Sequence, residues 1–239
     1  MLNYHINPAA LRSRVPRGTK LDSWNGKTFV SLVGFMFLNT KLLGVPVPFH
    51  RHFEEVNLRF YVRSRGEEGW RRGGVFVKEI VSRWAIAAVA RLCYGERYVC
   101  VPMRHRIETD AGILRENGAV TYEWRHHAEW SHLEVRATGQ PAVPQAGSEE
   151  EFITEHHWGY AVQRSGGTVE YRVEHPQWRV WQASSATLQC DARTLYASEF
   201  HECLSGRPSS VFLTEGSAVT VNQGTALAML RPHDSFIDS

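Results

Sequence analysis

The sequence predicts an α+β protein built on a large, mainly antiparallel β-sheet with a few short helices. Segments with the composition and alternation of strands dominate the 239 residues. The helical segments occur singly between groups of strands, so the regular strand–helix alternation that builds a parallel sheet is missing. A sheet of this size must curl to protect its edges, and the chain length suits one domain of this class.

The predicted strands are separated by glycine, proline and polar turn residues. Asn25-Gly26 predicts a tight turn, and the Gly- and charge-rich residues 64–74 predict the end of a long hairpin. Alternation in a later long segment is disturbed near Glu129, which predicts a bulge or a strand break. The predicted strands are residues 28–38, 53–63, 74–81, 97–109, 119–138, 168–175, 177–189, 211–221 and 225–230.

Helices are predicted where a capping residue precedes a run without strand alternation. Asn7 and Pro8 predict the cap and the first residue of a helix that ends before Pro16. Ser148 and Glu151 form a capping box that begins another helix. The two remaining predicted helices are the Ala-rich segment 82–95 and the segment 191–206, which has an Asp cap and a terminal Gly.

We expect one domain over residues 1–239. The polar, Pro-rich segment 140–147 is the strongest linker candidate. Similar hairpin groups on its two sides leave an internal duplication open, although no sequence repeat supports it. Residues 231–239 predict a loose tail.

Composition excludes several classes of protein. A hydrophobic content of 43% with 22% charged residues is typical of a folded globular chain rather than a disordered one. The net charge of +2 is too small to predict a nucleic-acid partner. The longest apolar run, residues 84–90, is too short to span a bilayer, and the N-terminus lacks the pattern of a signal peptide. We therefore expect a cytoplasmic protein with no membrane partner.

One strand carries the best candidate site. Glu55, Asn57, Arg59 and Tyr61 share a face of the segment 53–63, because side chains alternate along a strand. That face either meets solvent, as is common in antiparallel sheets, or lines a cavity inside a curled sheet, and spacing alone favours solvent. Same-face neighbours are about 7 Å apart. Glu55 and Arg59 are therefore placed to hold one small ligand between them rather than to pair directly.

The returning strand of the hairpin adds Lys78 and Glu79. Hairpin pairing brings one or the other beside the strand that holds Glu55 and Arg59. Two carboxylates near one arginine make a pair with separated pKa values, which suits acid/base chemistry. The alternative is an ordinary cross-strand ion pair.

Other groupings favour structural roles. The histidine pairs have no acidic residues at the spacing of a recognised metal site, so no metal is expected. Trp70 beside Arg71 and Arg72 could contact single-stranded nucleic acid, but two glutamates in the same loop favour a solvated hairpin end. Motifs for phosphate loops, dinucleotides, serine hydrolases and zinc proteases are missing, so no cofactor is expected. The histidine pairs are His50/His52, His126/His127 and His156/His157.

Several blocks of the chain resemble one family. They are VSLVGFMF, LLGVPVPFHRHFEEVNLRFYVR, GVFVKEIV, LCYGERYVCVPM, TEHHWGY and EYRVEHPQW. They resemble, in the same order over about residues 2–221, the YqjF-like DUF2071 family, which is similar to the acetoacetate decarboxylase-like superfamily. The resemblance implies a curled antiparallel sheet close to a barrel or cone, with a pocket inside. It also implies an N-terminus that is shortened by one strand relative to the family.

The resemblance carries chemical implications as well. The decarboxylases have an acidic strand residue, matched by Glu55, and an Arg-Glu pair, matched by Lys78-Glu79. Their next segment, Gly-x-Pro-Lys-Lys, contains the Schiff-base lysine, whereas residues 82–86 here read SRWAI. Arginine cannot form a Schiff base, so the usual decarboxylation is not expected. Lys78 is the remaining nearby amine.

The resemblance thus implies a pocket that faces inward, and we expect this pocket to bind a small anionic or carbonyl metabolite. In this hypothesis Arg59 binds the anion, and Glu55 and Glu79 act as acid/base or hydrogen-bond partners. One alternative is a lyase or hydratase that acts on a keto or enol acid, with Lys78 as an unusual amine. Another is a non-catalytic interaction protein, and a homodimer is left open. The weaker candidates for the pocket wall are Asn57, Tyr61, Tyr160 and His157.

Overall fold

The computed structural model describes residues 1–42, 45–46, 52–83, 98–163 and 166–227. The helices in these ranges are α1 (Pro8–Leu11), α2 (Glu149–Thr154), α3 (Ala192–Tyr196) and α4 (Ser198–Ser205), with a 3₁₀ turn at Arg12–Arg14. The strands of the N-terminal half are β1 (Leu2–His5), β2 (Thr19–Leu21), β3 (Phe29–Phe37), β4 (Lys41–Leu42), β5 (Val45–Pro46), β6 (Phe53–Gly66), β7 (Gly69–Val81), β8 (Tyr98–Cys100), β9 (Met103–Ile107), β10 (Thr109–Asp110) and β11 (Ile113–Leu114). Those of the C-terminal half are β12 (Ala119–His126), β13 (Glu129–Ala142), β14 (Trp158–Val162), β15 (Thr168–Glu174), β16 (Val180–Gln189), β17 (Ser210–Thr214), β18 (Thr220–Val221) and β19 (Thr225–Ala226).

Local turn and cap chemistry explains many element boundaries. Asn25 and Gly26 adopt φ values of 47° and 73°, the conformation of the predicted tight turn. The Asn7 side chain accepts the backbone N–H of Ala9 at 3.0 Å and so begins α1. Ser148 accepts the N–H of Glu151 at 3.2 Å, which begins α2. The tight turn and the two caps are confirmed, but the capping box is only half formed, because the Glu151 carboxylate accepts the N–H of Gly147 rather than that of Ser148.

Several elements differ from the sequence prediction, and the predicted strands 97–109 and 211–221 are each divided into shorter strands. The hairpin β6–β7 turns at residues 67–68, and most of the predicted loop 64–74 belongs to the strands. The strand break predicted near Glu129 is confirmed, because His127 turns the chain with φ 54° and residues 119–138 form a hairpin. The predicted helix 191–206 is two helices separated at Ala197, whose φ of 93° cannot continue a helix. The predicted helix 82–95 lies mostly outside the described residues.

Strand pairing gives one large mixed sheet. Within the described residues the main path runs β18-β15-β14-β7-β6-β3-β1-β17-β16-β13-β12-β9, and most neighbours are antiparallel. The strand β7 pairs in parallel with β8 and β14. The path is open, so the expected closure into a barrel is wrong. The two end strands of the path are poor templates for pairing with another strand. The strand β18 has only two residues, and β9 carries charged side chains at its edge.

The central position of β6 explains why both of its faces are covered. Val56, Leu58, Phe60 and Val62 pack into the larger hydrophobic core, which also includes buried side chains of α3 and α4. On the opposite face Glu55 and Asn57 are 2% exposed and Tyr61 is fully buried. The solvated face that alternation alone favoured is therefore wrong, since this face is buried. None of the described helices is long and apolar enough to cross a membrane.

Candidate active site

A buried carboxyl group is the centre of the polar face of β6. Asn57 Nδ2 donates a hydrogen bond to Glu55 Oε1 at 2.9 Å, and the Tyr98 hydroxyl lies 3.5 Å from Oε2. Burial raises the pKa of Glu55 to about 7, although the bonds from Asn57 and Tyr98 and the charge of Arg59 oppose this rise. Near neutral pH this carboxyl group is therefore poised between its protonated and ionised forms.

A second carboxyl group lies beside it. Strand pairing places Asn57 opposite Glu79, and β8 places Tyr98 beside Glu79 on the other side. Glu79 is 2% exposed. Burial raises the pKa of Tyr98 well above its usual value, and the negative charges of Glu55 and Glu79 add to this rise. Tyr98 is thus a neutral hydrogen-bonding group that contacts both carboxyls.

Arg59 lies at the other end of this face. Its Nε is 3.4 Å from the Tyr61 hydroxyl, its Nη2 is 3.4 Å from the Ile153 carbonyl oxygen, and the guanidinium carbon is 5.6 Å from the centre of the Tyr61 ring. Among the described residues no carboxylate lies within 4.0 Å of the Arg59 guanidinium. Its positive charge is compensated by a hydroxyl, a carbonyl and an aromatic face, and it remains available to an anion.

The Tyr61 hydroxyl continues into a buried chain of hydrogen bonds. It donates to Ser31 Oγ at 2.6 Å, and Ser31 donates to Asn3 Oδ1 at 2.6 Å. Asn3 Nδ2 donates to Ser210 Oγ at 3.0 Å, and Ser210 donates to the Glu149 carboxylate. Every donor points from Arg59 towards Glu149, so the chain runs from a cation to an anion. This polarity orients the Tyr61 oxygen towards Arg59 as an acceptor.

His156 covers Tyr61 from the side of α2. The two rings stack with centroids 4.4 Å apart, and Phe152 contacts both rings edge-on. Burial lowers the pKa of His156 well below its usual range, and the positive charges of Arg72 and Arg59 lower it further. The imidazole is therefore neutral at neutral pH.

Three predicted site residues lie away from this cluster. Lys78 pairs with Leu58 on the opposite face of the sheet, where its ammonium group donates to the Leu195 carbonyl oxygen. Tyr160 is buried in the larger core and donates to the Arg71 carbonyl oxygen at 3.2 Å. His157 is half exposed and lies 3.3 Å from Glu155 in a stack with His175. The structure thus gathers Glu55, Asn57, Arg59, Tyr61 and Glu79, and separates the other three.

Sequence reasoning missed three residues of the cluster. Tyr98 belongs to a segment that reads only as a strand, and its pairing with β7 follows a stretch outside the described residues. Ser31 lies in an apolar strand whose alternation does not mark it. His156 is the neighbour of the predicted His157, and the chain path after α2 decides which histidine is buried. The adjacent pair His156/His157 was the feature of the sequence that could have pointed to His156.

The histidine pairs can now be placed, apart from His50, which lies outside the described residues. His126 and His127 contact each other edge-on at 4.2 Å at the turn between β12 and β13. The described residues contain no group of three or more His, Cys, Asp or Glu side chains arranged to hold a metal ion.

Comparison with known proteins agrees with this architecture. The profile of the DUF2071 family, described as an uncharacterized conserved protein, matches residues 1–218. The chain belongs to the DUF2071 family. Uncharacterized protein YqjF from Bacillus subtilis (strain 168) is 26% identical over 195 residues, which cover 81% of this chain and 75% of YqjF.

Solved structures share the fold of this DUF2071 chain. Acetoacetate decarboxylase from Legionella pneumophila matches with a TM-score of 0.60 and 14% identity, over 95% of this chain and 83% of that one. The enduracididine biosynthesis enzyme MppR, complexed with pyruvate, matches with a TM-score of 0.65 and 13% identity, over 95% of this chain and 86% of that one. The expected kinship with acetoacetate decarboxylase-like proteins is confirmed at the level of the fold.

Proposed function

We propose that the polar face of β6 and β7 lines a pocket for a small metabolite that carries a carboxylate and a carbonyl group. Arg59 binds the carboxylate, and Glu55, with Asn57 and Tyr98, hydrogen bonds to the carbonyl end. The observation that carries the proposal is the presence of two groups on one strand face. One is the buried Glu55 carboxyl of pKa about 7, and the other is Arg59, which has no carboxylate partner among the described residues. The distance of four residues along a strand, roughly 13 Å between Cα atoms, suits a ligand of a few carbon atoms held between two side chains.

The keto-acid class is supported by two further points. MppR, which has the same fold, is described in complex with pyruvate. A protonated Glu55 would donate a hydrogen bond to a ligand carbonyl, and the Arg59 guanidinium matches the two oxygens of a carboxylate.

The placement of Lys78 argues against a Schiff-base reaction at this face. The chain contains Lys only at positions 20, 27, 41 and 78. The Lys78 ammonium group hydrogen bonds to Leu195 on the far side of the sheet, away from Glu55 and Arg59. The proposed chemistry therefore depends on proton transfer and hydrogen bonding, without an imine to Lys78.

Replacement of Arg59 by methionine tests ligand binding. We expect pyruvate to raise the melting temperature of the wild-type protein, and we expect the R59M variant to bind it at least tenfold more weakly, because a charge-assisted pair is lost. The measurement is thermal shift against pyruvate concentration. The matched control is Arg106→Met, since the Arg106 side chain is 78% exposed and its ion-pair partner is Glu108, at 3.6 Å, rather than a residue of the proposed site. Equal pyruvate responses of wild type and R59M would contradict the proposal.

The pKa of Glu55 favours a second candidate, a lyase or hydratase of keto or enol acids. A base of pKa about 7 suits removal of a proton next to a carbonyl. We expect the protein to catalyse exchange of the pyruvate methyl protons in D₂O, followed by proton NMR, and we expect Glu55→Gln to slow this exchange at least 100-fold. A protein that binds pyruvate without accelerating exchange would be a binding protein, and this candidate would be wrong.

A further inference from the structure

A second cleft lies beside α2, lined by residues other than those of the proposed keto-acid site. It has a volume of about 270 Å³. Side chains of β6, β7, α2 and the segment between β2 and β3 line it. The residues that matter for its chemistry are Asp22, Trp24, Arg63, Trp70, Arg72 and Glu151.

Cross-strand pairing concentrates positive charge beside this cleft. Arg63 of β6 lies opposite Lys20 of β2 on one side and opposite Arg72 of β7 on the other. Like charges in directly opposed positions repel each other unless another group compensates them. Asp22 compensates Arg72 through an ion pair of 2.7 Å. Trp70 lies under the other two cations, with its ring centre 4.5 Å from Arg63 and 6.0 Å from Lys20.

Arg63 is therefore compensated only by an aromatic face. Among the described residues it has no carboxylate within 4.0 Å, and its buried Nε has no hydrogen-bond partner. A buried N–H without a partner is unfavourable, so an acceptor from a ligand would relieve this cost.

The cleft also holds a carboxylate without a cation. Glu151 Oε2 accepts the backbone N–H of Gly147 at 2.6 Å, and no Lys or Arg side chain of the described residues lies within 4.0 Å of the Glu151 carboxylate. Asp22 is engaged by Arg72. Two arginines and two carboxylates line the cleft, and Arg72 and Asp22 pair with each other. One positive and one negative group remain available.

Aromatic side chains supply the rest of the wall. Trp24 is held by a hydrogen bond of 2.8 Å from its Nε1 to the Gly147 carbonyl oxygen, and Trp70 is 43% exposed. Phe152 contributes a further ring, over which Arg72 lies at 4.5 Å. Indole and phenyl surfaces bind flat apolar groups as well as ammonium groups.

We propose that this cleft binds a free α-amino acid with an aromatic side chain. Its carboxylate pairs with Arg63, its ammonium group pairs with Glu151, and its ring packs against Trp24 and Trp70. The cleft volume accommodates a molecule of this size, and the argument does not depend on the keto-acid site.

Isothermal titration calorimetry with L-phenylalanine tests the proposal on the full chain. We expect saturable binding to the wild-type protein. Phenylacetate lacks the ammonium group and 2-phenylethylamine lacks the carboxylate, so each should bind at least tenfold more weakly. Arg63→Met and Glu151→Gln should each weaken phenylalanine binding at least tenfold. Undetectable phenylalanine binding, or equal binding of phenylacetate, would overturn the proposal.

Arg65→Met is the matched control. Arg65 is exposed and lies 5.5 Å from the Trp70 ring centre, but it does not line the cleft. We expect its phenylalanine affinity to remain within twofold of wild type, and circular dichroism checks that each variant is folded. A loss in Arg65→Met equal to that in Arg63→Met would show a general effect of charge near Trp70 and would overturn the specific pairing.

Discussion

The Glu55→Gln variant is expected to become more stable relative to wild type as pH rises from 4.5 to about 7. The folded protein holds the Glu55 proton more tightly than the unfolded chain, because burial raises the pKa from 4.5 to about 7. Stability that depends on this proton is present below pH 4.5 and is lost as pH rises through 7. Glutamine keeps the shape and the acceptor oxygen for Asn57, but it has no charge to bury.

A rise from 4.5 to about 7 corresponds to about 3 kcal/mol, most of which is lost between pH 4.5 and pH 8. The measurement is the free energy of unfolding of both proteins by urea at pH 4.5, 6 and 8. The difference between Glu55→Gln and wild type should change by about 3 kcal/mol in favour of the variant, with no further change above pH 8. Glu116→Gln removes an exposed carboxylate and provides the control. A difference that does not vary with pH would mean that the Glu55 pKa is the same in the folded and the unfolded protein, and it would contradict the effect of burial.

Gly73→Ala is expected to destabilise the protein by about 3 kcal/mol. Gly73 pairs with Trp158 where β7 and β14 run in parallel. A Cβ at this position would lie 2.5 Å from the Trp158 carbonyl oxygen and 2.7 Å from Tyr160 Cε2. The Trp158 carbonyl oxygen cannot move without disturbing the pairing of β7 with β14. This pairing also fixes the position of β14, which follows His156 in the chain.

The neighbouring Gly74 provides a matched control. A Cβ on Gly74 would meet only Arg59 Cδ, at an ordinary contact distance of 3.8 Å. Gly74→Ala should therefore change the free energy of unfolding by less than about 1 kcal/mol, and the lower flexibility of alanine in the unfolded chain offsets any cost. Urea denaturation of both variants at one pH gives the comparison. Equal stabilities would mean that the parallel pairing tolerates a side chain at either position.

The strands and caps were predictable because local chemistry determines them. The β3 strand, the hairpin of β6 and β7 and the helix caps at Asn7 and Ser148 follow from alternation, turn residues and side-chain acceptors. The break at Ala197 was not predictable. An alanine at positive φ has no local signal, and packing of α3 and α4 into the core selects it.

The candidate site also has a part that was predictable from the sequence and a part that was not. Alternation placed Glu55, Asn57, Arg59 and Tyr61 on one face, and the structure keeps them together. A register shift between Leu58 and Arg59 leaves an extra residue in β7, so the partner of each β6 residue could not be counted from the turn. Tyr98 and His156 reach the cluster through strand and helix contacts that are distant in sequence.

The sequence by itself determined which side chains of β6 share a face, because a strand has a period of two residues. Only the tertiary structure decided that this face is buried, since α2 and the neighbouring strands cover it. It also decided that Lys78 and Glu79, adjacent in the chain, point to opposite sides of the sheet. Burial turned Glu55 from an ordinary carboxylate into a group that titrates near neutral pH, and burial is a property of packed neighbours rather than of the residue itself.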